Sequence, residues 1–135
     1  MSSGRFPLLD REEERNAEVT WEDQKQINEF SRLNARLETL EEEYRNQKEE
    51  MEYLDDLSME VELMDEDEKV PYRIGDAFVL VSLEAAQERV EKSKDKIDQH
   101  VADLDKQIAG TQDQMEVLKK SLYAKFGQAI NLERN

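Results

Sequence analysis

Apolar residues in the first half of the chain recur in alternating steps of three and four, which is the spacing of a coiled-coil seam. The pattern predicts a helix over residues 20–64, which begins with Thr20 and Asp23 as a capping box. Two positions of the stripe, Gln47 and Ser58, are polar, and polar residues on a seam fix its register at some cost in stability. The predicted stripe consists of Phe30, Leu33, Leu37, Leu40, Tyr44, Gln47, Met51, Leu54, Ser58 and Val61.

A second stripe of the same kind predicts a helix over residues 83–126, with Ser82 as its N-cap and Gly127 as its stop. The stripe is weak near its start, because Gln87 and Lys94 fall on heptad positions. From residue 97 onward it is nearly continuous. Its members are Leu83, Val90, Ile97, Val101, Leu104, Ile108, Thr111, Met115, Leu118 and Leu122.

Residues 69–82, KVPYRIGDAFVLVS, have the β-branched and aromatic character of two short strands around a Gly75-Asp76 turn. Pro71 lacks an N–H group for a strand ladder, which indicates an edge or short strand. A lone two-stranded hairpin is marginally stable in water. Because the sequence contains no other strand, we expect hairpins of other chains to complete this sheet, and we do not expect the isolated chain to be a well-folded monomer.

The predicted fold class is mainly α, a long antiparallel two-helix coiled coil with one β-hairpin at the bend. Each predicted helix has about 44 residues and would span roughly 66 Å, so the chain can fold back on itself, although helices that pair with other chains fit the same pattern. Residues 19–135 form the predicted domain and end in a tail from residue 127. Residues 1–18 are predicted to be a disordered tail, whose apolar patch of Phe6, Leu8 and Leu9 is either solvated or a docking segment.

Charge limits the classes of partner. The 135 residues include 34 acidic and 19 basic side chains, for a net charge of −15. This balance argues against nucleic acid or an anionic membrane surface as a partner. The chain has no cysteine for disulfide or thiol chemistry, and no apolar run approaches the roughly 20 residues of a membrane span. We therefore expect a cytoplasmic or nuclear protein.

No set of residues predicts an enzyme. The single histidine, His100, stands on a polar helical stretch without a positioned partner and is expected to be a surface residue. The acidic run Asp65–Glu68 lacks the Gly and Glu that an EF-hand loop needs, so a solvated turn is favoured over a calcium site. We expect no catalytic residue, no cofactor and no bound metal.

Apolar residues also gather where the first helix begins and the second ends, and not all of them fit on the seam. They have two possible roles, a binding surface or packing that keeps the helix ends from fraying. The candidates for a binding surface are Trp21, Ile27, Phe30, Tyr123 and Phe126, and Ile130 and Leu132 lie beyond them.

Three blocks of sequence resemble the β-type subunits of the prefoldin family: VTWEDQKQINEF (19–30), PYRIGDAF (71–78) and LYAKFGQAINLE (122–133). The resemblance covers nearly everything from residue 19 to residue 133, and Trp21 stands where a phenylalanine is expected. It implies a heterohexamer of two α-type and four β-type subunits, in which each β-type subunit contributes one hairpin to a β-barrel body and its coiled coil extends from that body.

The resemblance also implies a co-chaperone that works without ATP, catches non-native actin and tubulin at the ends of its coiled coils and delivers them to the cytosolic chaperonin. By position, Tyr72, Ile74, Phe78 and Leu80 would serve assembly, and Trp21, Ile27, Phe30, Tyr123 and Phe126 would lie near the bound client. The alternative hypothesis is a coiled-coil scaffold subunit of another multiprotein assembly, with no chaperone activity.

Overall fold

The computed structural model describes residues 18–132. They form helix α1 (Trp21–Glu62), strands β1 (Lys69–Ile74) and β2 (Ala77–Ser82), helix α2 (Leu83–Phe126) and a short 3-10 helix, Gly127–Ala129. The predicted fold of two long helices and an antiparallel hairpin is confirmed. Both strands and α2 have the predicted bounds, whereas α1 starts one residue after the predicted start at residue 20 and ends two residues before the predicted limit. The predicted tail of residues 1–18 lies outside the described residues, except for Glu18.

The chain divides into two compact units. The described part of unit 1 consists of residues 18–40 and 107–132, and unit 2 is Glu41–Lys106. In both units every residue of the predicted α1 stripe is buried or half-buried, including the half-buried Gln47 and Ser58. The heptad prediction for α1 is therefore confirmed.

In unit 1, α1 and α2 lie side by side in antiparallel directions. The Ser121 hydroxyl donates to Oε1 of Gln26 at 3.2 Å, and the Arg36 guanidinium donates to Oε1 of Gln107 at 3.0 Å. The partner number in α2 thus falls as the position in α1 rises. The seam between the helices is a cluster of buried side chains that includes Ile27, Phe30, Leu33, Leu37, Met115, Leu122 and Phe126.

The residues after α2 pack on this cluster, whereas the sequence predicted a tail from residue 127. Gly127 has a φ of +57°, a left-handed conformation that suits glycine and turns the chain at the end of the helix. Ala129, Ile130 and Leu132 are then buried. The Leu132 N–H donates to the phenolic oxygen of Tyr123 at 3.1 Å. Burial of these apolar side chains is the physical reason that residues 129–132 pack against the helices.

In unit 2, polar pairs join α1 to α2 where the seam is weak. Lys94, on a predicted heptad position, lies 3.3 Å from Oδ1 of Asp55, and this hydrogen bond raises the pKa of Lys94. His100 has the positioned partner that the sequence did not reveal, because its Nε2 lies 2.9 Å from Oε1 of Glu43. Gln87 is exposed.

The apolar stripe of α2 passes through Ala86 in place of Gln87. Ala86 is completely buried in a cluster with Val61, Val70 and Leu83. A small side chain at this point lets the base of the hairpin pack closely against the two helices. The prediction that Gln87 lies on the seam is therefore wrong by one residue.

The start of α1 is fixed by the predicted capping box. The Thr20 N–H donates to Oδ2 of Asp23 at 3.0 Å, and the Asp23 N–H donates to Oγ1 of Thr20 at 3.1 Å. Lys125, at the end of α2, also donates to Oδ2 of Asp23. Burial raises the pKa of Asp23, but the hydrogen bonds from Lys125 and Thr20 outweigh it, so the pKa lies below its usual value.

A first prediction concerns two glycines with opposite requirements. Gly75 has a φ of +61° in the turn, and Gly110 lies inside α2; a Cβ at either position would meet nothing within 4 Å. Because only the backbone conformation then matters, Gly75→Ala should destabilise the chain by about 1–2 kcal/mol. Gly110→Ala should stabilise it by about 0.5–1 kcal/mol. Urea midpoints at one fixed protein concentration will test both, and shifts in the same direction would contradict the argument.

A second prediction concerns acid stability. Because the folded pKa of Asp23 is lowered, ionised Asp23 stabilises the folded chain. This contribution to the free energy of unfolding is complete above the unfolded pKa of about 3.9 and is lost as the pH falls through the folded pKa. Asp23→Asn should lower stability by about 1 kcal/mol or more at pH 7. The gap from the native chain should begin to narrow as the pH falls below the unfolded pKa of about 3.9 and should close below the folded pKa, where native Asp23 is also neutral.

The matched control for this prediction is Glu22→Gln, which removes the same charge from the same helical turn. Glu22 is exposed and lies 4.0 Å from Lys25, outside the capping box. Thermal unfolding of the three chains, followed by circular dichroism between pH 7 and pH 3, measures the difference. A gap of constant size across this range would show that the ionised carboxylate of Asp23 contributes nothing.

Candidate interaction surfaces

The hairpin has two faces of different character. Its register pairs Tyr72 with Val79 and Arg73 with Phe78, and residues directly opposite one another point to the same face. Val70, Tyr72, Ile74, Ala77, Val79 and Val81 therefore share one face, which we call the inner face. Lys69, Pro71, Arg73, Phe78, Leu80 and Ser82 share the other, which we call the outer face. Of the predicted assembly residues, Tyr72 and Ile74 lie on the inner face, and Phe78 and Leu80 on the outer face.

The inner face attaches the hairpin to the helices of unit 2. Val70 is buried and Val81 half-buried in the apolar cluster at the hairpin base. Farther along, the Tyr72 hydroxyl lies 3.3 Å from Oγ of Ser93, and the Arg89 guanidinium carbon lies 5.9 Å from the centre of the Tyr72 ring. Near the turn, Ile74 and Val79 are exposed. Coverage of the inner face therefore decreases from the base of the hairpin to its turn.

Arg73 gives the hairpin a further attachment, although it lies on the outer face. Its long side chain reaches α1, where the guanidinium donates to Oε1 of Glu50 at 3.0 Å and lies 5.3 Å from the centre of the Tyr53 ring. An open cavity of about 390 Å³ lies beside these contacts, between the hairpin and the helices. The turn end of the hairpin is thus held mainly by polar and aromatic contacts.

The outer face is open to solvent along its whole length. Phe78 is 65% exposed and Leu80 is 69% exposed. Within residues 18–132 the sheet has only these two strands, so each strand has one edge without a ladder partner. Unpaired strand edges and exposed apolar side chains are the features by which an extended segment of another chain is recruited.

The helix-end residues of unit 1 occupy two kinds of position. Ile27, Phe30 and Phe126 are buried in the unit 1 cluster, and Tyr123 packs against it. Trp21 differs, because 75% of its surface is exposed. The first four residues therefore pack the helix ends in this structure, and the indole of Trp21 is the accessible member of the predicted set.

The sequence patterns missed some residues of these surfaces and identified others without showing their role. Val79 adds an exposed side chain to the inner face, and a strand pattern could have identified it. The attachment made by Arg73 could not have been read from spacing, because Glu50 and Tyr53 are about 20 positions away. Ile130 and Leu132 stood out as apolar, but their burial depends on the turn at Gly127.

Within residues 18–132, no group of three or more His, Asp or Glu side chains is arranged to hold a metal ion. A search of the same residues also finds no helix with the length and apolar character to cross a membrane.

Comparisons with known proteins agree on one family. The model of the family described as "Prefoldin subunit" matches residues 24–129. The chain is 42% identical over 127 residues to prefoldin subunit 4 of Saccharomyces cerevisiae, and the aligned region covers 94% of this chain and 98% of that protein. It is 39% identical over 116 residues to human prefoldin subunit 4, which covers 85% of this chain and 87% of that protein.

The fold is similar to that of one solved prefoldin structure. The crystal structure of the prefoldin beta subunit from Thermococcus strain KS-1 matches with a TM-score of 0.71 and covers 81% of this chain and 96% of that chain. The sequence identity is 12%, so this likeness supports the fold alone.

Proposed function

The chain belongs to the prefoldin subunit family and is a subunit of the prefoldin co-chaperone complex, and from this premise we propose how it assembles and what it binds. It joins a heterohexamer of two α-type and four β-type subunits in the cytoplasm. The complex holds non-native polypeptides such as actin and tubulin without ATP and without enzymatic chemistry. It then delivers them to the cytosolic chaperonin.

The exposed hairpin is the observation that carries the assembly part of this proposal. The outer face presents Phe78 and Leu80 to solvent in a chain with a net charge of −15. Large apolar side chains side by side on a solvent-exposed strand mark an interaction site, and the open strand edges add backbone donors and acceptors to it. Neighbouring subunits that place a strand against β1 or β2 would cover both features.

Client binding is assigned to the helix-end residues of unit 1, with Trp21 as the contact. The indole is large, rigid and amphipathic, so it contributes much contact area at low cost in conformational entropy. Ile27, Phe30, Tyr123 and Phe126 support this surface from below, because all four are buried in or packed against the cluster. The net charge of −15 argues against nucleic acid and anionic membranes as partners.

A third prediction tests assembly. Phe78→Ser should cost about 2 kcal/mol of assembly free energy, roughly thirtyfold in the association constant, because it removes an aromatic side chain from a shared face. Met51→Ser should impair assembly less, since Met51 is a half-buried seam residue of α1. The measurement is the assembled fraction in size-exclusion chromatography with the other subunits present.

Leu63→Ser is the control for the loss of an exposed apolar side chain. Leu63 is exposed and belongs to unit 2, as Phe78 does, but it lies outside the hairpin. We expect its assembled fraction to equal that of the native chain. Equal assembly by the Phe78 and Leu63 variants would refute the assignment of the outer face.

A fourth prediction tests client binding in the assembled complex. Trp21→Ser should weaken suppression of the aggregation of unfolded actin by about tenfold in the concentration required, a loss typical of an aromatic anchor. Val117→Ser should leave suppression unchanged, because Val117 is a similarly exposed apolar residue of unit 1, at 68%. Serine at Ile27 or Phe126 would be less informative, since both are buried and the change would also disturb the helix ends.

The result separates the two functions that the sequence allowed. Full suppression by the Trp21 variant would show that clients bind elsewhere. A native complex that assembles but does not suppress aggregation at all would favour the scaffold hypothesis.

A further inference from the structure

Unit 1 contains a cavity of about 360 Å³ whose wall includes Phe30 but not Trp21, the proposed client contact. A cavity of this volume lies at the lower end of the range of ligand-sized clefts. Apolar side chains from α1, from α2 and from the segment after α2 form much of its wall. The lining residues are Phe30, Leu37, Met115 and Leu132, together with Gln112, Glu116 and Lys119.

We propose that residues Phe6–Leu9 of the same chain dock in this cavity. This segment, Phe-Pro-Leu-Leu, is the apolar patch within residues 1–17. Farther along the chain, Val19 packs against the unit 1 cluster, which also contains the apolar residues of the cavity wall. An apolar segment is thereby tethered close to an apolar cavity, and the tether gives it an effective concentration on the order of millimolar.

The connecting chain is long enough. Ten residue steps separate Leu9 from Val19, and an extended chain of that length spans roughly 33–36 Å. Phe30 and Leu37 lie nine and sixteen positions beyond Trp21, which corresponds to roughly 14 Å and 24 Å along α1. The chain can therefore turn at residues 18–20 and run back beside α1, because the extended linker is longer than the distance along α1 to the cavity.

Charge favours the same occupant. Residues 10–18 hold five acidic and two basic side chains, a net charge of −3. Two lysines lie at or beside the cavity wall, Lys119 in the lining and Lys120 next to it on the surface of α2, against one acidic lining residue, Glu116. A chain that places Phe6–Leu9 in the cavity carries its acidic residues past these lysines, where opposite charges attract over about 10 Å at moderate ionic strength.

The cysteine-free chain allows a direct test by disulfide trapping. Asp10→Cys places a thiol beside the apolar patch without altering it. Glu116→Cys places a second thiol on the cavity wall. Val117→Cys is the matched control, because it lies on the next residue of the same helix and is exposed to solvent. The full-length chain carries each pair within the assembled complex, and oxidation under mild conditions is followed by non-reducing gels and peptide mass spectrometry.

We expect the Asp10/Glu116 pair to form its intramolecular bond about tenfold faster than the Asp10/Val117 pair, since docking raises the local thiol concentration. Adding Phe6→Ser and Leu9→Ser should reduce this rate to that of the control pair. Equal rates for the two pairs, a bond between separate chains, or a fast rate that survives the serine changes would each overturn the proposal.

Discussion

Each unit is held together by an apolar seam only one heptad stripe wide. A fully buried leucine or phenylalanine contributes about 1.5–3 kcal/mol, so the seam is sufficient to join two helices although it occupies only a narrow strip of each. The remaining helical surface is charged, which suits a chain with 34 acidic residues. An apolar residue outside the seam therefore has few places to be buried, and exposed apolar side chains that lie next to one another are informative about partners.

The hairpin shows how this constraint produces an exposed apolar surface. Alternation along a strand sends neighbouring side chains to opposite faces, and the helices can cover only one of them. Val70 and Val81 bury the base of the inner face, while Phe78 and Leu80 have no helix to pack against. Polar contacts hold the hairpin without covering its outer face. The fold thus fixes the position of an apolar surface that the helices of unit 2 leave exposed.

The elements were predictable because each depends on local sequence. Heptad spacing determined the helices, and the Gly75-Asp76 pair determined the hairpin turn, with Gly75 in the required positive-φ conformation. The errors came from three-dimensional context. Ala86 replaces Gln87 on the seam because the hairpin base needs a small neighbour, and Glu43 reaches His100 across 57 positions. The heptad pattern does not predict contacts of this kind between residues far apart in the sequence. Which helix-end residues would be buried was equally a matter of packing.

The exposure of Trp21 follows from its position in the first turn of α1. The seam of α1 begins at Asp23, which is buried. Successive helical residues are about 100° apart around the helix axis, so Trp21, two residues before Asp23, is about 200° away from it. Trp21 therefore points to the side of the helix opposite the seam. The capping box and Lys125 fix this first turn, so the indole stands on a rigid support. A rigid aromatic group loses little entropy on contact, which makes a firmly capped helix end a better place for a client contact than a frayed one.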